Sequence, residues 1–442
     1  MSHDTCKNVT FRSKFGITHG IMDDEMKGRA QGSVARVVSG DNENTQQKSR
    51  KTVLILGGDG YLGWPTAMHF ANRGYRTVIV DNLAKRLWES EMGATPLFHI
   101  PPLQRRLKVW NDMHPDKKIE LYVVDIAENH RMVYQIFEEV RPDTVIHYAE
   151  QPSAPYSMFN RHNAVHSQIN NVAGTLNVMF AMKRYTPDAH MVKLGTMGEY
   201  GTPNIDIEEG WIELEYNGRR DRMLYPKKPG SFYHLSKVHD SHNLEFGCRI
   251  WDLRVTDLNQ GVVYGIETDE TILDPELTTS FHYDQVFGTV INRFVTQAVA
   301  GEPLTVYGNG TQTRGYLNIR DTIACVTLAA ENPPKPGEFR VFNQFTEQFS
   351  IRDLADKVKR VGDSMGLSVT ISNIENPRVE QEDHHYNAKN TKLIDLGLKP
   401  HYLTDEWIAS LIKRVADAKD HIDTGTLMPT VKWHSAGGDK DV

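Results

Sequence analysis

One stretch near residue 52 constrains the fold of this chain more than any other. Residues 52–56 are apolar and rich in β-forming side chains, and they are followed by glycines at 57, 60 and 63 and a helical pattern through Ala71. In dinucleotide-binding proteins the first glycine permits a tight turn, the second lets the backbone approach a pyrophosphate, and the third packs the helix against the strand. The helix N-terminus then faces the phosphates. The stretch therefore predicts the strand, turn and helix that open a dinucleotide-binding fold.

The second predicted strand, residues 76–80, ends in Asp81, which follows Gly57 by 24 residues. An acidic residue at this distance binds the ribose hydroxyls of a dinucleotide. Its charge repels the 2′-phosphate of NADP, so the sequence favours NAD as cofactor, although the nearby Lys85 and Arg86 leave NADP open. The alternative interpretation of Asp81 is an ordinary turn residue after a strand.

Apolar runs and helical patterns continue to alternate, with further strands predicted at 119–124, 143–149, 190–196 and 252–258 and helices at 132–140 and 163–185. Such alternation predicts a parallel sheet covered on both faces, with ligands at the carboxyl ends of its strands. The predicted class is α/β, a Rossmann-type doubly wound sheet with a smaller mixed α/β substrate-binding domain. We expect a flexible extension at 1–50, the NAD-binding domain at 51–260, the substrate-holding domain at 261–430 and a tail at 431–442.

The composition excludes several classes of function. The net charge of −7 is spread along the chain without long like-charge blocks, so neither nucleic acid nor an anionic membrane is the expected partner. Three scattered cysteines lack the spacing of a metal site, so we expect no metal and a reducing compartment. No apolar run is long enough to span a bilayer. We expect a cytoplasmic protein, with organelle import through residues 1–50 as the open alternative.

The residues Tyr233 and Lys237 are separated by one helical turn in a predicted helix. At this spacing both side chains lie on one face, and the ammonium stabilises a phenolate, so the tyrosine is able to exchange protons near neutral pH. The alternative is an amphipathic surface pair, because this spacing is common by chance.

Several motifs together resemble the extended short-chain dehydrogenases/reductases that act on nucleotide sugars: the glycine turn, the strand end at Thr196, the Tyr233 and Lys237 pair, and residues 314–321. Residues 195–207, 231–242, 256–261 and 339–348 further resemble the UDP-sulfoquinovose synthases of that group. The resemblance covers residues from about 51 to 430.

The resemblance implies conversion of UDP-glucose and sulfite to UDP-sulfoquinovose with bound NAD, through a 4-keto and a 4-keto-5,6-ene intermediate. It also implies a homodimer formed by the helices near 163–185 and 231–248. The predicted catalytic residues are Thr196, Tyr233, Lys237, His234 and Glu199. Predicted cofactor-binding residues are Gly57, Asp59, Gly60, Tyr61, Leu62, Gly63, Asp81, Asn82, Arg86, Asp125, Ile126, Tyr233, Lys237 and Gln260. Predicted substrate-binding residues are Gln151, Thr196, Met197, Gly198, Tyr233, Asn259, Thr305, Tyr307, Gln312, Arg314 and Arg378.

One position departs from the family pattern: Pro152 stands where we expect an arginine, a cation suited to sulfite. A related UDP-hexose 5,6-dehydratase or epimerase without sulfite addition is therefore the alternative prediction. A third reading is a redox-inactive NAD-binding regulator, which has no need of Thr196, Tyr233 and Lys237 together.

Overall fold

The computed structural model describes residues 50–379 and 384–433 of the 442-residue chain. Apart from Arg50, the predicted N-terminal extension with its import alternative lies outside the described residues, as does most of the predicted tail. Among the described helices, none is long and apolar enough to cross a membrane.

The described strands are β1 (Thr52–Leu56), β2 (Arg76–Asp81), β3 (Ile119–Val123), β4 (Thr144–His147), β5 (His190–Thr196), β6 (Trp211–Tyr216), β7 (Arg219–Leu224), β8 (Arg254–Gln260), β9 (Val262–Tyr264), β10 (Leu304–Tyr307), β11 (Thr313–Asn318), β12 (Phe339–Gln344), β13 (Glu347–Ser350) and β14 (Ile371–Ile374). The helices are α1 (Gly63–Asn72), α2 (Ala84–Glu91), α3 (Leu103–Met113), α4 (His130–Val140), α5 (Ala154–Ser157), α6 (Arg161–Gln168), α7 (Gly174–Tyr185), α8 (Phe232–Trp251), α9 (Val290–Ala300), α10 (Ile319–Glu331), α11 (Ile351–Ser364), α12 (Thr391–Asp395) and α13 (Asp405–Ala416).

The central sheet has seven strands in the order β12-β8-β5-β4-β1-β2-β3, and every pair of neighbours is parallel. Alternate residues of each strand enter two different apolar cores. Val53 and Ile55 pack with α1, α3 and α10, whereas Leu54 and Leu56 pack with α4, α7 and α8. Helices therefore cover both faces, and the predicted doubly wound parallel sheet is confirmed.

Most of the chain after residue 261, which we call the second region, forms a smaller mixed α/β layer. Strands β10 and β14 pair in parallel, β11 lies between parallel β9 and antiparallel β13, and helices α9, α11 and α13 bury an apolar core against them. Strand β12 then returns to the edge of the central sheet beside β8. The region predicted to begin at 261 thus also contributes a strand to the Rossmann sheet.

Two local features differ from the sequence prediction. The helix predicted over 163–185 is divided into α6 and α7 by a π-helical turn, Ile169–Ala173. Strands β6 and β7 form a hairpin through Asn217 and Gly218, which both have positive φ. The Asn-Gly pair is a strong hairpin signal, so the hairpin was predictable from the sequence.

Candidate active site

A cleft of about 480 Å³ lies at the carboxyl ends of the central strands, and residues of both regions line it. This is the position at which open α/β sheets bind ligands. Of the predicted site residues, those on the wall of the cleft are Gly57, Gly60, Tyr61, Leu62, Gly63, Asp81, Asn82, Ile126, Thr196, Tyr233, His234, Gln260, Tyr307, Gln312, Arg314 and Arg378.

The turn between β1 and α1 requires glycine at two positions. Gly57 has a φ of +88°, and a side chain there would meet the backbone of Ala149 at 2.8 Å. A Cβ on Gly63 would lie 1.9 Å from the Gly57 carbonyl oxygen. The backbone therefore turns tightly into α1, whose N-terminus has no side-chain cap. Bare N–H groups at a helix N-terminus suit a pyrophosphate, so the turn fits the phosphates of NAD.

Asp81 lies on the cleft wall at the end of β2. Its carboxylate accepts hydrogen bonds from the backbone N–H groups of Asp59, at 2.8 Å, and Leu83, at 2.7 Å. Burial raises the pKa of Asp81 to about 6, so the group is mainly ionised at neutral pH. The amide of neighbouring Asn82 donates to Asp125, at 2.7 Å. The carboxylate of Asp81 is thus placed on the cleft wall as a hydrogen-bond acceptor, which fits the hydroxyls of the adenosine ribose.

Asp59 and Arg86 lie beneath the glycine turn and not on the cleft wall. The Arg86 guanidinium donates to the Asp59 carboxylate at 2.9 Å, and Arg106 also donates to that carboxylate. Arg106 is fully buried, and burial lowers its pKa to about 10. The two arginines hold Asp59 and therefore the glycine turn. The contacts of Asp59 and Arg86 are thus those of residues that support the turn. No local motif points to Arg106, because it comes from the distant helix α3.

Tyr233 and Lys237 occupy the first turns of α8, which Ser231 caps by accepting the His234 N–H at 3.1 Å. The backbone N–H of Tyr233 donates to Ser157 Oγ at 3.0 Å. The Lys237 ammonium lies 5.7 Å from the centre of the Tyr233 ring and donates to the Leu194 carbonyl at 2.5 Å. Burial raises the pKa of Tyr233 and lowers that of Lys237. The predicted pair is therefore assembled, with the tyrosine facing the cleft.

The π-helical turn places two consecutive asparagines beside this pair. Asn170 lies on the cleft wall, and its amide donates to Asn171 at 2.9 Å. Asn171 in turn accepts from the backbone N–H of Gln151, at 2.8 Å, and donates to Ser236, at 2.9 Å. The extra residue of a π turn allows neighbours to point to one side, and such turns are frequent at functional sites. A helical periodicity alone does not reveal it.

Thr196 ends β5, and His234 packs against the turn that follows it. The Thr196 hydroxyl oxygen accepts the Gly198 N–H at 3.1 Å, and a Cβ on Gly198 would lie 2.4 Å from His234 Nε2. The imidazole therefore packs directly against Gly198, and a side chain at 198 would displace it from its place on the cleft wall. Glu199 is buried behind this turn, where it pairs with Lys227 and accepts the Thr196 N–H at 3.2 Å. Its contacts are those of a support for Thr196.

The second region contributes the far wall of the cleft. The Gln312 amide donates to the Tyr307 carbonyl at 3.0 Å, and Arg293 donates to the Tyr307 hydroxyl at 2.9 Å. Arg378 stacks on Trp433, 5.4 Å from the ring centre, and both line the cleft with Arg314. Arg293 and Trp433 were not predicted from the sequence, since neither lies in a recognisable motif.

Several predicted residues lie behind the wall. Thr305 is hydrogen-bonded to Gln297, Asn259 to Tyr200, and Gln151 to Ser153 and Asn171. Those off the wall are Asp59, Arg86, Asp125, Gln151, Met197, Gly198, Glu199, Lys237, Asn259 and Thr305. Pro152, in contrast, lines the cleft directly.

Comparison with known proteins gives this site a family. Residues 53–343 match the model of the NAD dependent epimerase/dehydratase family. A chloroplastic UDP-sulfoquinovose synthase of Spinacia oleracea is 54% identical over 397 residues, which is 90% of this chain and 82% of the relative. The UDP-sulfoquinovose synthase of Sulfolobus acidocaldarius is 43% identical over 86% of this chain and 97% of the relative.

The same fold occurs in the UDP-glucose 4-epimerase of Thermus thermophilus, solved in complex with NAD. That structure aligns with a TM-score of 0.58 and 22% identity over 82% of this chain and 98% of the epimerase. This chain is therefore an NAD-dependent enzyme of the epimerase/dehydratase family, and within it the chain belongs to the UDP-sulfoquinovose synthases.

Proposed function

We propose that this enzyme converts UDP-glucose and sulfite to UDP-sulfoquinovose, with release of water. The observation that carries the proposal is the arrangement of Thr196, Tyr233 and His234 on one cleft wall beside a glycine turn that fits NAD. Both relatives above carry the name of this activity. A redox-inactive regulator has no use for Thr196, Tyr233 and Lys237 together.

The first step is oxidation at C4 of the glucosyl group. Tyr233 takes the proton of the C4 hydroxyl, and Lys237, one turn away, stabilises the phenolate that does so. The Thr196 hydroxyl lies at the strand end, where it is suited to bond the C4 oxygen. The glycine turn and Asp81 would hold NAD, which would supply the acceptor for the C4 hydride and its donor at the end of the cycle.

The 4-ketone then makes the chemistry at C5 and C6 feasible, because the anion left by removing the C5 proton is an enolate. His234 is the candidate for moving protons at C5 and at the C6 hydroxyl, since its imidazole lines the cleft. Glu199 was the other candidate, but its carboxylate is bound by Lys227, by Ser241 at 3.0 Å and by the Thr196 N–H. Water leaves across C5 and C6, sulfite adds to C6, and C5 regains a proton.

Binding of the nucleotide is assigned to the far wall. Arg314 and Arg378 are suited to the pyrophosphate, because guanidinium groups bind phosphate oxygens in a bidentate manner. Tyr307 and Gln312, which are hydrogen-bonded to each other, also line the cleft.

A second candidate function rests on Pro152. A proline on the cleft wall supplies neither a charge nor an N–H to an anion such as sulfite. The corresponding activity is 5,6-dehydration or epimerisation of a UDP-hexose without sulfite addition.

The deciding experiment incubates the purified enzyme with UDP-glucose, with and without sulfite, and identifies the sugar nucleotides by mass spectrometry. We expect a sulfonated product only when sulfite is present, and none from Tyr233→Phe. Absence of any sulfonated sugar nucleotide from the wild type would refute the proposal, and a dehydrated or epimerised product would establish the second candidate.

The enzyme is further proposed to form a homodimer through α6, α7 and α8. Exposed apolar side chains are grouped on these helices and the π turn: Val165, Ile169, Phe180, Phe232, Phe246 and Ile250. Exposed apolar patches of this kind mark association surfaces, and a twofold dimer buries the same patch on both copies. Light scattering that gives a monomer at micromolar concentration would contradict this proposal.

The proposed location is the cytoplasm, with organelle import through residues 1–50 as the alternative. The spinach relative is named as chloroplastic, which favours testing the alternative directly. Imaging of full-length and residue 51–442 fusions to a fluorescent protein distinguishes the two, because only import through the extension makes the two patterns differ.

A further inference from the structure

Lys237 belongs to a cluster of buried charged side chains that lies beside Tyr233. Lys237 Nζ lies 2.6 Å from Glu150 Oε2, and Lys193 Nζ lies 3.6 Å from Glu150 Oε1 and 3.3 Å from Asp240 Oδ2. The side chains of all four are at most 3% exposed. We refer to Glu150, Lys193, Lys237 and Asp240 as the buried charge cluster.

The cluster links three elements of the active site. Glu150 follows strand β4, Lys193 lies in β5 three residues before Thr196, and Lys237 and Asp240 belong to α8. Lys237 also donates to the carbonyl of Leu194 in β5. The position of the Lys237 ammonium is therefore set from two sides, by a carboxylate and by a strand carbonyl.

Such a cluster is a costly way to fill the space between a strand and a helix. Removing ions from water opposes folding, and apolar side chains of similar volume stabilise a protein as well or better. Active sites are places where burial and neighbouring charges are arranged to shift pKa values, so a buried carboxylate that contacts the candidate catalytic lysine is a candidate for a functional role. The Glu150 carboxylate faces Lys237 on one side and Lys193 on the other, so its contacts act on the reactive pair.

We propose that Glu150 is a positioning residue that holds the Lys237 ammonium and opposes the negative charge of the Tyr233 phenolate, and that Lys193 holds Glu150 and counterbalances it. This inference rests on the proposed function, in which Tyr233 exchanges the C4 hydroxyl proton. It assigns roles to two residues outside the motif that contains Tyr233 and Lys237.

The charges around Tyr233 have opposing effects on its ionisation. Burial raises the pKa of Tyr233, the Glu150 carboxylate raises it further, and the Lys193 ammonium lowers it. Burial lowers the pKa of Lys237, whereas Glu150 raises it. The charged or titratable groups that face the pair are Glu150 and His147 from the β4 end, Lys193 and Glu199 from β5 and its turn, Asp240 from α8 and, behind them, Lys227 and Asp257.

The remaining acids and bases of this region differ from Glu150 in their charge state or in their contacts. Burial lowers the pKa of His147 to about 4, so it is neutral at physiological pH. Burial raises the pKa of Asp240 to about 8, so its charge changes at mildly alkaline pH. Glu199 is neutralised locally by Lys227. Glu150 therefore remains the carboxylate in direct contact with Lys237.

The test compares the pH dependence of C4 oxidation in three variants. Full-length enzyme with NAD is mixed with UDP-glucose, and nicotinamide reduction is followed in a single turnover by its near-ultraviolet absorbance. Glu150→Gln removes the charge with little change of shape, and we expect the midpoint of the pH profile to decrease by about one unit or more. Lys193→Met should move it upward, and Glu150→Asp should leave it near the wild-type value.

A matched control is Glu270→Gln, which removes a buried carboxylate paired with His69 at 3.0 Å outside the cluster. It should leave the midpoint unchanged.

The outcomes separate the two proposals. If the wild type neither reduces NAD with UDP-glucose nor forms the sulfonated product, the proposed function fails. If the wild type is active but the pH profiles of C4 oxidation in Glu150→Gln and Lys193→Met have the wild-type midpoint, the positioning role is refuted, even when both variants are less stable. If Glu150→Gln does not fold, the upward shift in Lys193→Met and the wild-type midpoint of Glu150→Asp carry the decision.

Discussion

Replacing Asp81 by asparagine separates the charge of this residue from its shape. Burial raises the pKa of Asp81 from 3.8 to about 6 in the folded protein. The folded state therefore binds this proton more tightly than the unfolded chain, and the group favours folding most below pH 3.8. That contribution decreases as the pH rises from about 4 to about 6, and the loss persists at neutral pH.

The size of the loss follows from the pKa difference. Two pH units correspond to about 3 kcal/mol, and because the side chain keeps some exposure to water we expect about 2 kcal/mol. Asparagine does not titrate. The Asp81→Asn variant should therefore gain about 2 kcal/mol of unfolding free energy relative to wild type between pH 4 and pH 7. The weaker hydrogen bonds of asparagine to the N–H groups of Asp59 and Leu83 change the unfolding free energy of the variant equally at pH 4 and pH 7, so they cancel in this comparison.

The assay is urea unfolding of the cofactor-free protein, followed by tryptophan fluorescence, at several values of pH between 4 and 7. If the unfolding free energies of wild type and Asp81→Asn changed in parallel with pH, they would refute the argument that the ionised Asp81 destabilises the folded protein. A functional readout accompanies it. At roughly 6 Å and an effective dielectric constant of about 20, one pair of unit charges repels by about 3 kcal/mol, so Asp81→Asn should reduce the preference for NAD over NADP by about 100-fold. An unchanged ratio of dissociation constants would contradict the assigned role.

Four further predictions follow from other contacts. Asp59→Asn leaves the buried Arg106 without its carboxylate and should lower the unfolding free energy by about 3 kcal/mol or more, measured by urea denaturation. Lys237→Met should lower the rate of C4 oxidation by about 100-fold or more, measured as single-turnover nicotinamide reduction, with a smaller effect on UDP-glucose affinity. Pro152→Arg should lower the KM for sulfite, and an unchanged KM would show that sulfite binds elsewhere. Phe246→Asp should give a monomer by light scattering, because it places a charge on the proposed dimer surface.

Much of the fold and part of the site could be predicted because the signals are local. The strand, glycine turn and helix at 52–71, the acid at 81 and the spacing of Tyr233 and Lys237 each depend on residues close in sequence. The structure has the strand, turn and helix, with Gly57 at positive φ, and it places Asp81 and Tyr233 on the cleft wall. Motifs of this kind also carried the family resemblance, which the comparisons confirmed.

The pairings between distant segments could not be predicted in this way. The position of β12 beside β8, the contact of Arg106 with Asp59 and the stacking of Arg378 on Trp433 join residues far apart in the chain. Such contacts depend on how the layers pack and leave no periodic pattern in a single sequence.

By itself, the sequence indicated the class of the fold, a preference for NAD and the candidate pair Tyr233 and Lys237, because backbone turns and one-turn helical spacing are encoded locally. Only the tertiary structure decided what surrounds that pair. It buries Glu150 against Lys237 and Lys193, and it puts Glu199 behind the wall and His234 on it. The physical reason is that burial and charge pairing arise only when β4, β5 and α8 come together, and these set the proton affinity on which the proposed chemistry depends.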